Sequence, residues 1–259
     1  MTQATLITGA SSGIGEEFAR QLAARGENLV LVARSADKLM AICNELGRAH
    51  NIAAQHVALD LTEKGAPEAL FAETNRRGIE VETLINNAGF GSFGEFAALD
   101  LARELQMVEL NVTALVALTH LYLAPMRARR RGAIINVAST AAFQPVPYMT
   151  TYAATKAFVL SFTEALWEEN RAHGVKVIAL CPGPTETNFF TAAGGESPPL
   201  RPKQTAEEVV EVGLRGLERG QGHVISGWSN FAVTQAERFL PRSLVIRLAG
   251  KAMKSYAKK

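Results

Sequence analysis

The 259-residue sequence has little cysteine, little net charge and no histidines spaced to hold a metal. Its two cysteines, Cys43 and Cys181, sit in apolar segments far apart in the chain. That pattern excludes a disulfide framework and a cysteine-based metal site. The five histidines show no ligand spacing, so no metal is assigned. Lys and Arg number 27 against 25 Asp and Glu, a formal charge of +2. This balance argues against strong steering toward nucleic acid or an anionic membrane. No apolar run reads as long enough to span a membrane. "MTQATLITG" enters a strand almost at once, which leaves no room for a signal peptide. The expected setting is reducing and cytoplasmic.

What the chain does have is a core. It is 47% hydrophobic and 20% charged, as in a globular protein of one large domain or two small ones. Short aliphatic and β-branched runs recur at 4–8, 28–33, 53–59, 82–86, 132–139, 176–182 and 222–226. Helical patterns separate them, among them 15–26 and 35–51. Runs that are apolar throughout, alternating with amphipathic helices, predict a parallel sheet covered on both faces. This is the α/β, doubly wound nucleotide-binding architecture, in a single domain.

Two stretches carry candidate chemistry. "TGASSGIG" (Thr8 to Gly15) closes the first strand and opens a helix. Gly9, Gly13 and Gly15 would permit a tight turn and bring backbone close to a pyrophosphate at the helix N-terminus. "TTYAATKAFVLSF" (Thr150 to Phe162) sets Tyr152 and Lys156 one turn apart on a helix. Lowering a tyrosine pKa from about 10 by three units takes roughly 4 kcal/mol. One cation about 4 Å away at an effective dielectric near 20 supplies about that much. Taken alone, the spacing favours a packed tyrosine beside a snorkelling lysine.

"TGASSGIG", "NNAG" at 86–89, Ser139, and Tyr152 with Lys156 together resemble the short-chain dehydrogenase/reductase family, over nearly the whole chain to about residue 228. The resemblance implies a Rossmann-like sheet of about seven strands. It also implies an NADP(H)-dependent oxidoreductase acting on a carbonyl or alcohol. Carried over to this sequence, Tyr152 is the proton donor or acceptor. Lys156 lowers its pKa and binds the nicotinamide ribose, and Ser139 hydrogen-bonds the substrate oxygen. Asn111 holds a water in a proton relay. The cofactor site takes Gly9, Ser11, Ser12, Gly13, Ile14 and Gly15 around the phosphates. Asp60 and Leu61 lie at the adenine, and Asn87, Ala88 and Gly89 along the adenosine side. Pro182, Gly183, Thr185 and Thr187 complete it, with Thr187 at the carboxamide. Ala142 departs from a glycine common after the serine motif. Where NAD-preferring members have an acidic residue after the second strand, this chain has Ala33, Arg34 and Ser35. An arginine there suits the 2′-phosphate of NADP(H).

The segment 188–203 is expected to form a lid. Phe189 and Phe190 would line an apolar pocket with Phe90, Phe93 and Phe143, so the expected substrate is a lipophilic ketone or aldehyde. The boundary is set at 228, with 229–259 a helical extension. Its basic, amphipathic end is expected to pack on the domain or a partner subunit, with a membrane surface as the alternative. Relatives commonly form homodimers or homotetramers through long helices such as those beginning near 101 and 150. The rival readings are a sugar-nucleotide epimerase or dehydratase, and a cofactor-binding sensor or scaffold without turnover.

Overall fold

The computed structural model describes residues 2–194 and 203–254. Its seven strands are β1 (Thr2–Thr8), β2 (Leu29–Ala33), β3 (Ala54–Ala58), β4 (Ile79–Asn86), β5 (Gly132–Val137), β6 (Val175–Cys181) and β7 (His223–Ile225). All pair in parallel, in the order β3-β2-β1-β4-β5-β6-β7. The strands read as unbroken apolar runs because both faces are covered. Alternate residues point to opposite faces. Ile7, Leu31, Ile85 and Ile135 meet Phe18 and Leu22 of α1 (Gly13–Ala24), Leu39 of α2 (Ala36–His50) and Leu214 of α8 (Ala206–Glu218). Leu6, Val30, Leu84 and Ile134 meet Leu70 of α3 (Ala66–Arg76) and Leu118, Tyr122 and Met126 of α5 (Leu115–Ala128).

β4 begins at Ile79, three residues before the expected start. Ile79 and Val81 are buried, while Glu80 and Glu82 alternate with them and pair with Arg131 at 2.8 and 3.0 Å. The charges that hide this half-strand from a search for apolar runs are satisfied by Arg131 at the amino-terminal end of the central strand.

One expectation is corrected. α4 (Leu101–Val108), a π-helical turn (Glu109–Ala114) and α5 form one rod of 28 residues, long and apolar enough to cross a membrane by length and composition. Nearly half of its most apolar stretch is buried inside the domain. The rod is apolar because one side covers the sheet.

α6 (Thr150–Asn170) packs along β6, and α7 (Phe189–Ala192) is a single turn. α9 (Trp228–Ala236), a 3₁₀ turn (Glu237–Phe239) and α10 (Arg242–Lys254) follow β7. Val245 of α10 is buried, and Gly250 lies so close to Pro147 that an added Cβ would sit 3.3 Å from its ring. α10 therefore packs against the loop before α6. Residues 195–202 of the expected lid lie outside the described residues.

Candidate active site

The strand order reverses between β1 and β4, the place where parallel sheets open a crevice at their carboxyl ends. Thr8 ends β1, and its hydroxyl accepts from the backbone N–H of Asn87 and of Ala88, both at 3.0 Å. The Asn87 amide donates in return to the Thr8 carbonyl at 2.9 Å. These bonds hold the two loops that flank the crevice. Gly9 and Gly13 adopt positive φ of 66° and 59°. A Cβ on Gly9 would meet Ala88 Cα at 2.9 Å, and one on Gly13 would meet Thr187 Cγ2 at 3.1 Å. Gly15 is a different case. It does not line the cavity, and its Cβ would lie 2.4 Å from the Gly9 carbonyl oxygen. Close seating of α1 on the turn, not approach to a phosphate, requires that glycine.

Asn111 lies buried in the π-helical turn. Its Oδ1 accepts from Phe90 N at 3.1 Å, and its Nδ2 donates to Phe90 O at 3.0 Å and Thr155 Oγ1 at 3.1 Å. A Cβ at Gly89 would meet Asn111 Oδ1 at 2.9 Å, so a larger residue there would displace that amide. The extra residue of a π turn displaces a side chain relative to the α-helix around it, and such turns gather at functional sites. Here the displaced amide braces the wall after β4.

Ser139 follows β5, and its Oγ accepts from Ala141 N at 3.1 Å, while its hydroxyl opposes the rise of the Tyr152 pKa. Lys156 donates to the Val137 carbonyl at 2.7 Å, with its Nζ 5.8 Å from the Tyr152 ring centroid. The three side chains converge as the motif spacing implies. The expected pKa effect does not appear in this structure. Burial pushes the phenol up to about 12, against the smaller opposing effect of the Ser139 hydrogen bond. Burial also pushes Lys156 down to about 8. Both groups are almost fully enclosed, so loss of hydration dominates both.

A cavity of about 810 Å³ joins these residues. Ser11, Ser12, Gly13 and Ile14 line one end together with Arg34, Ser35, Asp60 and Leu61. Asn87, Ala88 and Gly89 lie along it, and Pro182, Gly183, Thr185 and Thr187 lie past Ser139, Tyr152 and Lys156. Asp60 accepts from Thr62 N at 3.0 Å and Thr62 Oγ1 at 2.8 Å. The Arg34 guanidinium is 3.8 Å from Asp60, with 76% of its side chain exposed at the rim. The far end is apolar, with Phe90, Val146, Met149, Phe189 and Phe190 in its wall. The Phe189 ring lies 5.1 Å from that of Tyr152, an approach that Gly91 permits because a Cβ there would sit 2.8 Å from Phe189. Arg103 fastens α7 by donating to Ala192 O at 2.8 Å.

Two phenylalanines differ from expectation. Phe93 packs beside Met107, Met149 and Tyr152 without lining the cavity. Phe143 also lies outside it, packed with Val159, Leu160 and Ile225 and edge-on to His223 at 6.0 Å. The 3₁₀ turn Thr140–Ala142 carries Phe143 toward β7. Missing from the sequence reading are Val233, Leu240, Val245, Leu248, Ala249 and Met253, which line the apolar end from α9, α10 and the connection between them. Their only sequence signal is the amphipathic pattern, which does not say what the apolar face covers.

The short chain dehydrogenase model matches residues 3–196. The chain is 33% identical over 230 residues to a very-long-chain 3-oxoacyl-CoA reductase of Rattus norvegicus, covering 85% of this chain and 71% of the relative. It is 36% identical over 222 residues to 17-beta-hydroxysteroid dehydrogenase type 3 of Mus musculus, covering 85% and 70%. A short-chain dehydrogenase from Sphingobium yanoikuyae, solved in complex with NADPH, superposes with a TM-score of 0.82 at 31% identity, over 92% of this chain and 94% of that one. The chain belongs to the short-chain dehydrogenase family of oxidoreductases.

Proposed function

We propose that this protein is an NADP(H)-dependent oxidoreductase that reduces a lipophilic ketone or aldehyde to the alcohol, or runs the reverse. The observation that carries this reading is one continuous cavity. It joins a glycine turn and Arg34 at one end, through Ser139, Tyr152 and Lys156, to an apolar wall at the other. The bare backbone at Gly9 and Gly13, and a cation at the rim with no carboxylate at Ala33, fit a phosphorylated dinucleotide. When bound, the nicotinamide supplies or takes up the hydride.

The chain's own residues manage the oxygen. Ser139 donates a hydrogen bond to the carbonyl oxygen and orients it. Tyr152 remains protonated at neutral pH with its pKa near 12, so it is poised to donate a proton to that oxygen. The Lys156 ammonium stabilises the phenolate left behind. Asn111 shapes the wall through Phe90, and the second lone pair of its Oδ1 is the acceptor available to a relay water. The apolar end has the character required by a large lipophilic carbonyl, as in the substrates that the two curated relatives are named for. Exposed Leu101, Leu105 and Val108 on α4 and Phe158 on α6 support pairing with a second copy along these helices.

NADPH oxidation across a panel of long-chain 3-ketones, steroid ketones, small aldehydes and phosphorylated sugars tests the reading. The bulky apolar carbonyls are expected to give the highest kcat/KM. A preference for phosphorylated sugars overturns the substrate class. Tight NADPH binding without turnover in a stopped-flow hydride-transfer assay would return the sensor reading, and a bound cofactor that does not exchange would return the epimerase.

A further inference from the structure

Large apolar side chains exposed to solvent gather at the end of the chain. Phe239 is 87% exposed, Leu240 43%, Leu244 42% and Leu248 53%. Trp228, 80% exposed, opens the same segment and stacks on Phe231 at 5.6 Å. Leu244 and Leu248 are one turn apart on α10, as are Arg247 and Lys251. The opposite face of α10, with Val245 and Met253, is used against the domain and the cavity.

Charge gathers with them. Residues 228–259 hold seven Lys and Arg against one acidic residue, Glu237. The rest of the chain therefore has 20 basic against 24 acidic residues, and the formal +2 conceals a basic end on an acidic body. Leu240 and Leu248 connect the patch to the active site, since both line the cavity while remaining about half exposed. The apolar end of the cavity opens within the patch.

We propose that the segment Trp228–Lys254 is a docking surface for an anionic lipid bilayer, with the cavity mouth at the contact. An amphipathic helix whose exposed leucines lie among Arg and Lys is the form that binds in the headgroup region. Exposed Trp228 suits the same depth. Each cation near an anionic surface contributes about 1 kcal/mol. A second copy fits less well, because a two-fold contact would bring together two copies of the same basic patch, with Arg238, Arg242, Arg247 and Lys251 on both sides. The proposal does not rest on the reaction above, and its primary test reads binding instead of turnover.

Flotation of the full chain with vesicles of phosphatidylcholine, with and without phosphatidylserine, is the experiment. The protein is expected to float with the phosphatidylserine vesicles and not with phosphatidylcholine alone, and to detach as salt rises. Arg247→Gln with Lys251→Gln should weaken partitioning about thirtyfold. Phe239→Ser with Leu244→Ser should abolish flotation while circular dichroism and turnover of a water-soluble ketone stay unchanged. Neither residue lines the cavity. If the serine pair fails to fold, the glutamine pair carries the test by itself. Absence of flotation, equal flotation with both vesicles, or unaltered flotation of the folded variants overturns the proposal. So does a dimer in sedimentation that the serine pair dissolves without any vesicle binding, which would assign the face to a second copy.

Discussion

The two ends of the cavity are built by different means. The cofactor end is made of backbone: the turns after β1 and β4 are joined through Thr8 and Asn87, and two glycines hold positive φ. The apolar end is made of side chains that meet by packing, from Phe90 to Met253, with Arg103 as a fastening. A backbone site tolerates few sequences, because a Cβ at Gly9 or Gly15 has nowhere to go. A packed apolar wall accepts many side chains of suitable volume. This difference explains how one framework keeps its cofactor chemistry while changing substrates.

The comparison can be broken at the junction first. Tyr152→Phe should cut the single-turnover reduction rate about 10²–10⁴-fold while leaving NADPH binding intact. Near-normal hydride transfer in that variant would remove the tyrosine from the chemistry.

At the polar end, Arg34→Ala should weaken NADPH binding about ten- to hundredfold and leave NADH nearly unchanged. Titration with both cofactors decides this. Equal losses would make Arg34 a partner of Asp60 and nothing more.

At the apolar end, Phe189→Ala with Phe190→Ala should raise KM for bulky apolar carbonyls about tenfold more than for small ones. A uniform rise across the series would mean that α7 supports the fold instead of reading the substrate.

The smallest effect, close to neutral pH, separates the two buried groups. Lys156 is charged below its pKa of about 8 and neutral above it. Tyr152 stays protonated throughout, because its pKa is raised to about 12. Reduction should therefore be flat at neutral pH and fall as pH rises through 8, approaching about tenfold per unit. A rate that rises with pH instead would mean that ionised tyrosine limits the reaction and that the ligand-bound site reverses the effect of burial.

Seven strands, their parallel sense and the glycine turn were legible in the chain, because apolar periodicity and a requirement for glycine are local properties. The convergence of Ser139, Tyr152 and Lys156 was legible only through family resemblance. A spacing of four residues says which face two side chains share, and nothing about what stands opposite. Gly15 shows the limit of motif reading: its place in the turn was plain, but its reason, the Gly9 carbonyl 2.4 Å from a would-be Cβ, is a contact between two elements.

The sequence by itself determined the sheet, the order of layers and the identity of the polar end, since backbone hydrogen bonding and side-chain alternation follow from neighbours in the chain. Only the tertiary structure decided that Phe143 faces β7, that the π turn aims Asn111 at Phe90, and that α10 closes the cavity. It also decided that the two ionisable groups are so enclosed that burial governs both pKa values. In each case the deciding quantity is what a side chain meets across space, and desolvation and packing depend on partners from distant parts of the chain.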